Sequence, residues 1–103
     1  MNIHILGEAH EELWQAANWY EEHERGVGLQ FLHAYESALR SIQEHVESSS
    51  RMEHLESDRD IRRTRFRRFP YLIVYERLRE EVIILAVAHT SRRPSFWISR
   101  SRA

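Results

Sequence analysis

Residues 82–88, Val82-Ile83-Ile84-Leu85-Ala86-Val87-Ala88, form the most apolar run in the chain and decide its fold class. An unbroken apolar run rich in β-branched residues is typical of a strand covered on both faces, at the centre of a sheet. Residues 71–75 have the same character, and the charged residues 77–81 separate the two runs. This pattern predicts an antiparallel hairpin with residues 82–88 as the central strand.

The residue pattern before this hairpin predicts two more strands and two helices. Residues 61–66 are predicted to form an arginine-rich strand, and the polar residues 48–58 are predicted to form a loop. Apolar residues recur at helical spacing over residues 8–24 and again from Phe31 to Val46, with serines 48–50 ending the second helix. The link Gly26-Val27-Gly28 is so short that the helices must turn back on each other.

Together with a first strand at residues 2–6, these elements predict one α+β domain over residues 1–103, in the order β-α-α-β-β-β. The helical hairpin covers one face of a mostly antiparallel sheet, and the arginine-rich strand lines the opposite, partly open face. The chain has no cysteine, no membrane-spanning apolar stretch and no secretory signal pattern at its start, which favours a cytoplasmic setting.

The net charge of −1 hides an uneven distribution. Residues 1–50 hold nine glutamates and two arginines, whereas residues 51–103 hold seven acids and thirteen arginines. All 15 basic residues are arginine. A GC-rich coding bias is one explanation; the other is a surface for planar, bidentate contacts with phosphate or carboxylate. The split predicts an acidic helical side and a basic sheet side.

Arg63, Arg65 and Arg67 alternate along the predicted strand, so they should share one face at intervals of about 6.6–7 Å. That interval is close to the spacing of successive phosphates in one nucleic-acid strand. The alternative is an ordinary solvated face on which long side chains cover an open sheet. The residue pattern fits both interpretations.

His89 ends the most apolar strand and is followed by Arg92 and Arg93. A histidine in this position can serve as a general base or as a hydrogen-bond donor, or it can cap the strand end. The other histidines show no metal-ligand spacing, and the chain has no glycine-rich phosphate loop. The sequence therefore predicts no metal site and no cofactor.

Four aromatic residues have two possible roles each. Trp14 and Trp19 lie off the main apolar stripe of the first helix. They either add to the packing of the core or form an exposed patch that binds a partner. Phe96 and Trp97 either cover the sheet edge or stack on a nucleotide base.

An ordered set of short motifs runs through nearly the whole chain. It comprises Glu12-Leu13, Ala16-Ala17, Trp19-Tyr20-Glu21, Gly28, Phe31-Leu32, Ala38-Leu39, Ile42, Ile61-Arg62-Arg63, Phe69-Pro70-Tyr71, Ile73, Tyr75, Ile84–His89, Arg92-Arg93-Pro94 and Phe96-Trp97. In this order the set resembles the RelE/ParE superfamily of toxins from bacterial type II toxin–antitoxin systems. The resemblance implies a helical hairpin on a curved antiparallel sheet and a small antitoxin partner in a hetero-oligomer.

The superfamily contains ribosome-dependent mRNA endoribonucleases and toxins that poison DNA gyrase. For a ribonuclease, the resemblance implies a catalytic set of His89 as base with Arg63, Arg65 and Arg92 stabilising charge. That set is incomplete, because Leu72 replaces a basic residue and Phe96 or Trp97 replaces a tyrosine. A His followed by basic residues after the last strand is common in the gyrase branch, which favours gyrase over a ribonuclease or a degenerate, non-toxic member.

The residues expected to contact either target are Arg63, Arg65, Arg67, His89, Arg92, Arg93 and Trp97. Those expected to contact the antitoxin are Trp14, Trp19, Arg62 and Arg68.

Overall fold

The computed structural model describes residues 2–44, 50–51, 59–93 and 96–101. The elements are β1 (Asn2–Ile5), α1 (Gly7–His23), α2 (Val27–Glu44), β2 (Ser50–Arg51), β3 (Ile61–Arg65), β4 (Tyr71–Arg77) and β5 (Glu81–His89). The predicted α+β order is confirmed, with a two-residue β2 added inside the predicted loop. The predicted end of α2 at residues 48–50 lies largely outside the described residues. No helix in the described ranges has the length and apolar character needed to cross a membrane.

The strands form one sheet in the order β1-β5-β4-β3-β2. β5 pairs parallel with β1 and antiparallel with β4, and the remaining pairs are antiparallel. Residues 82–88 are therefore an interior strand, buried along their whole length, although β4 is the middle strand of the five. A register shift at Val74/Tyr75 marks a bulge against β5, which increases the local twist.

Both helices pack on one face of the sheet. The ring of Phe31 in α2 lies 5.0 Å from that of Tyr71 in β4, and Tyr20 in α1 lies 6.2 Å from the same ring. Because side chains alternate along a strand, the position of Tyr71 on the helix side assigns its neighbours to one face or the other by register. The helix face carries Tyr71, Ile73, Val87 and His89. The open face carries Arg63, Arg65, Leu72, Ala88 and Thr90.

The helical hairpin closes through Glu21 and two glycines. The backbone N–H groups of Gly26 and Gly28 donate to the Glu21 carboxylate at 3.0–3.1 Å, so this side chain satisfies donors at the start of α2. Gly26 has a φ of 90°, which favours glycine. At Gly28 the helices approach so closely that a Cβ atom would lie 2.7 Å from the Ala17 carbonyl oxygen.

The C-terminal segment, residues 96–101, packs back onto the domain. Trp97 is 3% exposed and belongs to the core. Arg59 donates to the carbonyl oxygens of Ile98 at 2.6 Å and Arg100 at 2.8 Å while it pairs with Glu76 at 2.9 Å. One guanidinium thus ties the segment to β4.

Candidate functional site

A cavity of about 230 Å³ lies between α1 and the C-terminal end of β5. We call it the β5-end cavity. The helix contributes Trp19, Gln15 and Glu12, and the sheet contributes Tyr71 and His89. Arg92 lies beside it, just after the strand. The cavity therefore joins an exposed aromatic ring, a histidine and a cation on one surface.

The cavity exists because β1 covers only half of the β5 edge. β1 pairs with Glu81–Ile84, and past this point side chains bind the edge instead. The Val87 N–H donates to Glu12 Oε1 at 3.1 Å, and the Leu85 carbonyl oxygen accepts from Arg100 Nη1 at 2.9 Å. Glu12 and Arg100 also pair with each other at 2.9 Å. Two side chains thus replace a neighbouring strand and fix the floor of the cavity.

Tyr71 and Ser91 orient the His89 ring at the cavity wall. Its ring lies 5.2 Å from that of Tyr71, edge to face, and the Ser91 N–H donates to Nδ1 at 3.0 Å. An amide N–H can only donate, so Nδ1 must be unprotonated and the neutral ring carries its proton on Nε2. This tautomer is inferred from the hydrogen bond. Neutral His89 therefore offers a donor, because its lone pair is already engaged.

Arg92 stands at the cavity mouth with half of its side chain exposed. Its guanidinium carbon lies 3.8 Å from the centroid of the Phe96 ring, a cation–π contact. Its Nη1 atom is 4.0 Å from Glu12 Oε2, a loose ion pair beside the tighter one to Arg100. Arg93 is exposed next to it. Positive charge is thus presented to solvent beside His89.

Arg63 and Arg65 belong to a different site. They line a separate cavity of about 300 Å³ together with Leu72 and Thr90. These residues lie on the open face, whereas His89 lies on the helix face. The structure therefore does not bring together His89, Arg92, Arg63 and Arg65 as the predicted catalytic set, because the pleat of the sheet separates them.

The predicted row of three arginines is wrong at its third member. β3 ends at Arg65, and the chain bends over residues 67–70, with Arg68 in the left-handed region at a φ of 68°. Strand alternation therefore stops before Arg67. This residue lies against α2, where it shares a cavity with Arg40.

The residues expected to contact an antitoxin fall in separate places. Trp14 is 45% exposed and Trp19 is 54% exposed, so both lie off the buried stripe of α1, about 140° apart around the helix. The Trp14 ring N–H donates to His10 Nε2 at 3.1 Å, and the Trp19 ring stacks on His23 with centroids 3.8 Å apart.

The structure changes the expectation for Arg62 and Trp97, whereas Arg68 is exposed as expected for a contact residue. Arg62 Nε is paired with Asp60 Oδ1 at 2.9 Å, so its guanidinium is not a free surface contact. Trp97 is buried in the core and has no ring face for a partner or a base. Arg68 is exposed in the β3–β4 turn.

Sequence reasoning missed Glu12, Gln15 and Tyr71 as cavity residues. Glu12 was one of nine glutamates in the first 50 residues, and its place in the motif set assigned it no role in a site. Its role follows from the length of β1, since a longer first strand would have taken the Val87 N–H instead.

Three comparisons with known proteins bear on this architecture. Residues 3–94 match the family model described as ParE toxin of type II toxin–antitoxin system, parDE. A solved structure titled "Chromosomal ParDE TA system from P. aeruginosa" superposes with a TM-score of 0.72 at 14% identity, covering 86% of this chain and 95% of that one. No curated protein matches the sequence. The structural likeness shows the fold, and the family match spans most of the domain: the chain belongs to the ParE toxin family of type II toxin–antitoxin systems.

Proposed function

We propose that this protein is a growth-inhibitory toxin that poisons DNA gyrase through the β5-end cavity and is neutralised by a cognate antitoxin. Membership of the ParE family supports the toxin role and the pairing with an antitoxin. The gyrase target is supported by the residues at the end of β5, where His89 is followed by Arg92 and Arg93. A ribosome-dependent ribonuclease is the competing activity.

The observation that carries the proposal is the separation of His89 from the open-face arginines. Cleavage of RNA by its own 2′-hydroxyl needs a base, a group that stabilises the phosphorane charge, and an acid for the leaving oxygen. The lone pair of His89 Nδ1 is engaged by Ser91, and Arg63 and Arg65 lie on the other face of the sheet. Among the described residues, the arginines of the open face do not line the β5-end cavity, so the expected set of His89 with Arg63 and Arg65 is not assembled there.

The β5-end cavity has the chemistry of a protein-binding surface. Exposed tryptophan and arginine are the residue types that dominate binding energy at protein interfaces. Trp19 offers an aromatic face, Arg92 a cation, and His89 an N–H donor, all on a base fixed by Glu12. These groups can bind and hold a protein target in one conformation without chemistry of their own.

Supercoiling and DNA-cleavage assays with purified gyrase test the proposal. Full-length toxin should inhibit supercoiling and trap a cleaved DNA complex. Arg92→Gln and His89→Ala should each weaken inhibition by about tenfold or more, since each removes a direct contact. Arg79→Gln is the matched control, because Arg79 is exposed in the turn at the opposite end of β5.

Primer extension on translated mRNA tests the competing activity in parallel. We expect no toxin-dependent cleavage. Cleavage that is lost in Arg65→Ala, with no effect on gyrase, would replace the gyrase proposal by a ribonuclease. Normal growth after induction without antitoxin would show a non-toxic family member.

A further inference from the structure

A groove runs along the exposed side of α2, between the helix and the turn that joins β3 to β4. Two adjoining cavities of about 280 and 350 Å³ form it and share Ser37 and Arg67 in their linings. Arg68 adds to the turn side of the groove, and Arg40 and Ser41 add to the helix side. We call it the α2 groove. It shares no lining residue with the β5-end cavity.

The groove lining carries more positive than negative charge, with three arginines against Glu44 among the described residues. Arg40, Arg67 and Arg68 are exposed, and none has an ion-pair partner within the described part of the chain. The paired arginines elsewhere differ, since Arg59 and Arg100 each hold a carboxylate at 2.9 Å. Three exposed guanidiniums against one carboxylate give the groove a net positive field, which favours an anionic ligand.

The backbone conformation of Arg68 also supports a functional role for this groove. A non-glycine residue in the left-handed region costs about 1–2 kcal/mol, and such strain concentrates at functional sites. The turn is held from both sides, because the Phe66 and Phe69 rings lie 5.0 and 5.1 Å from that of Phe31. The fold thus keeps a strained turn that places Arg67 and Arg68 beside α2.

We propose that the α2 groove binds the phosphodiester backbone of a nucleic acid. Phosphate contacts in proteins come from arginine, from hydroxyl groups and from amide groups, and the groove supplies these through Ser37, Ser41 and Gln30. Guanidinium groups match phosphate oxygens in a bidentate fashion. From Gln30 to Ser41 the helix extends about 16 Å, which is long enough to meet more than one phosphate of a strand.

The lining favours phosphates over an acidic protein segment. A protein partner needs an apolar centre with aromatic or aliphatic anchors. Among the described residues, the groove offers only Ala34 and Phe69 as apolar lining. This inference does not rest on the gyrase proposal, because the groove lies apart from the β5-end cavity.

Fluorescence anisotropy with a short labelled DNA duplex tests the proposal on the full-length chain. The double variant Arg40→Gln/Arg67→Gln should weaken binding about tenfold or more. The slope of log Kd against log salt should fall by about 2, since two phosphate contacts are lost. The matched control, Arg25→Gln/Arg79→Gln, removes the same charge from exposed arginines in other turns and should leave both quantities unchanged.

Equal weakening by the two double variants would overturn the proposal, because it would reduce the binding to net charge alone. An unchanged salt slope in Arg40→Gln/Arg67→Gln would overturn it as well. Circular dichroism confirms that both variants fold. Binding of RNA of the same sequence distinguishes DNA from RNA as the source of the phosphodiester backbone. Equal affinity supports a site that binds both nucleic acids, and weaker RNA binding supports a site for duplex DNA. Displacement of the DNA by polyglutamate at equal charge concentration would identify an acidic protein ligand instead.

Discussion

Tyr35 lies on the buried face of α2, and its hydroxyl has no hydrogen-bond partner in the described part of the protein. Burial raises the pKa of Tyr35 to about 12, because the charged phenolate is poorly solvated there. In the unfolded chain a tyrosine ionises near pH 10. Between these values the unfolded state has lost a proton that the folded state keeps, so stability falls as pH rises.

Replacing this hydroxyl should flatten the alkaline pH dependence. Tyr35→Phe should be as stable as the wild type or slightly more stable at neutral pH, because an unpartnered buried polar group is removed. The wild type should lose about 1–2 kcal/mol more than the variant between pH 10 and 12. Urea unfolding across that range measures the difference. Parallel pH curves for the two proteins would contradict the assignment.

The positions of single functional residues could be predicted only where a helix or strand, itself predicted from the sequence, determined them. His89 was expected at the end of the last strand because the apolar run stops at residue 88, and the structure places it there. The alternation of Arg63, Arg65 and Arg67 held only as far as the strand, which ends at Arg65. Arg62 and Trp97 were misplaced because their partners, Asp60 and the core, cannot be read from spacing.

The helical hairpin depends on an element contact that only glycine allows. At Gly28 a Cβ atom would lie 2.7 Å from the Ala17 carbonyl oxygen and 2.8 Å from the Glu21 Cβ. Neither atom is the end of a flexible side chain, so the helices would have to separate. Gly28→Ala should therefore destabilise the protein by about 1–3 kcal/mol, the usual effect of overpacking. The midpoint of urea unfolding measures this loss.

Gly7→Ala is the matched control for that variant. Gly7 begins α1, and a Cβ atom there meets nothing within 4 Å. Alanine is the better helix former, so this variant should be neutral or slightly stabilising. An equal loss of stability in both variants would show that close approach of the helices is not what requires glycine at position 28.

The long elements could be predicted because their periodicity persists over many residues. The first helix was expected over residues 8–24 and runs from Gly7 to His23. β2 has two residues and therefore no period to detect. The packing of the C-terminal segment depends on pairs such as Arg100 with Glu12, which are 88 residues apart. Local sequence carries no signal for contacts of that kind.

The charge distribution of the whole molecule is more complex than the expected division into an acidic helical side and a basic sheet side. The helices carry exposed glutamates such as Glu11 and Glu22, in line with the acidic helical side that was expected. Exposed arginines, however, lie on the open face, at the end of β5 and in the α2 groove as well as in turns of the described structure. The helical side is therefore not uniformly acidic, since Arg40 and Arg67 lie along α2.

The positions of Trp14 and Trp19 bear on how the two proposed protein partners, the antitoxin and gyrase, share the surface of α1. Trp19 lines the β5-end cavity with His89, whereas Trp14 lies on the other flank of α1 and is absent from that cavity. An antitoxin segment that crosses α1 would contact both tryptophans, but the target would contact only Trp19. The antitoxin would then act by covering the cavity directly, and the two tryptophans would differ in effect.

Trp14→Ala should separate neutralisation from toxicity. We expect this variant to arrest growth as the wild type does, because the β5-end cavity is intact, but to need more antitoxin for rescue, since an exposed aromatic anchor of about 1–2 kcal/mol is lost. Trp19→Ala should lose both toxicity and antitoxin affinity. Growth after induction, with the antitoxin titrated from a second promoter, measures both effects, and circular dichroism checks folding. If Trp14→Ala lost toxicity, or if it were rescued as readily as the wild type, antitoxin and target would not divide α1 in this way.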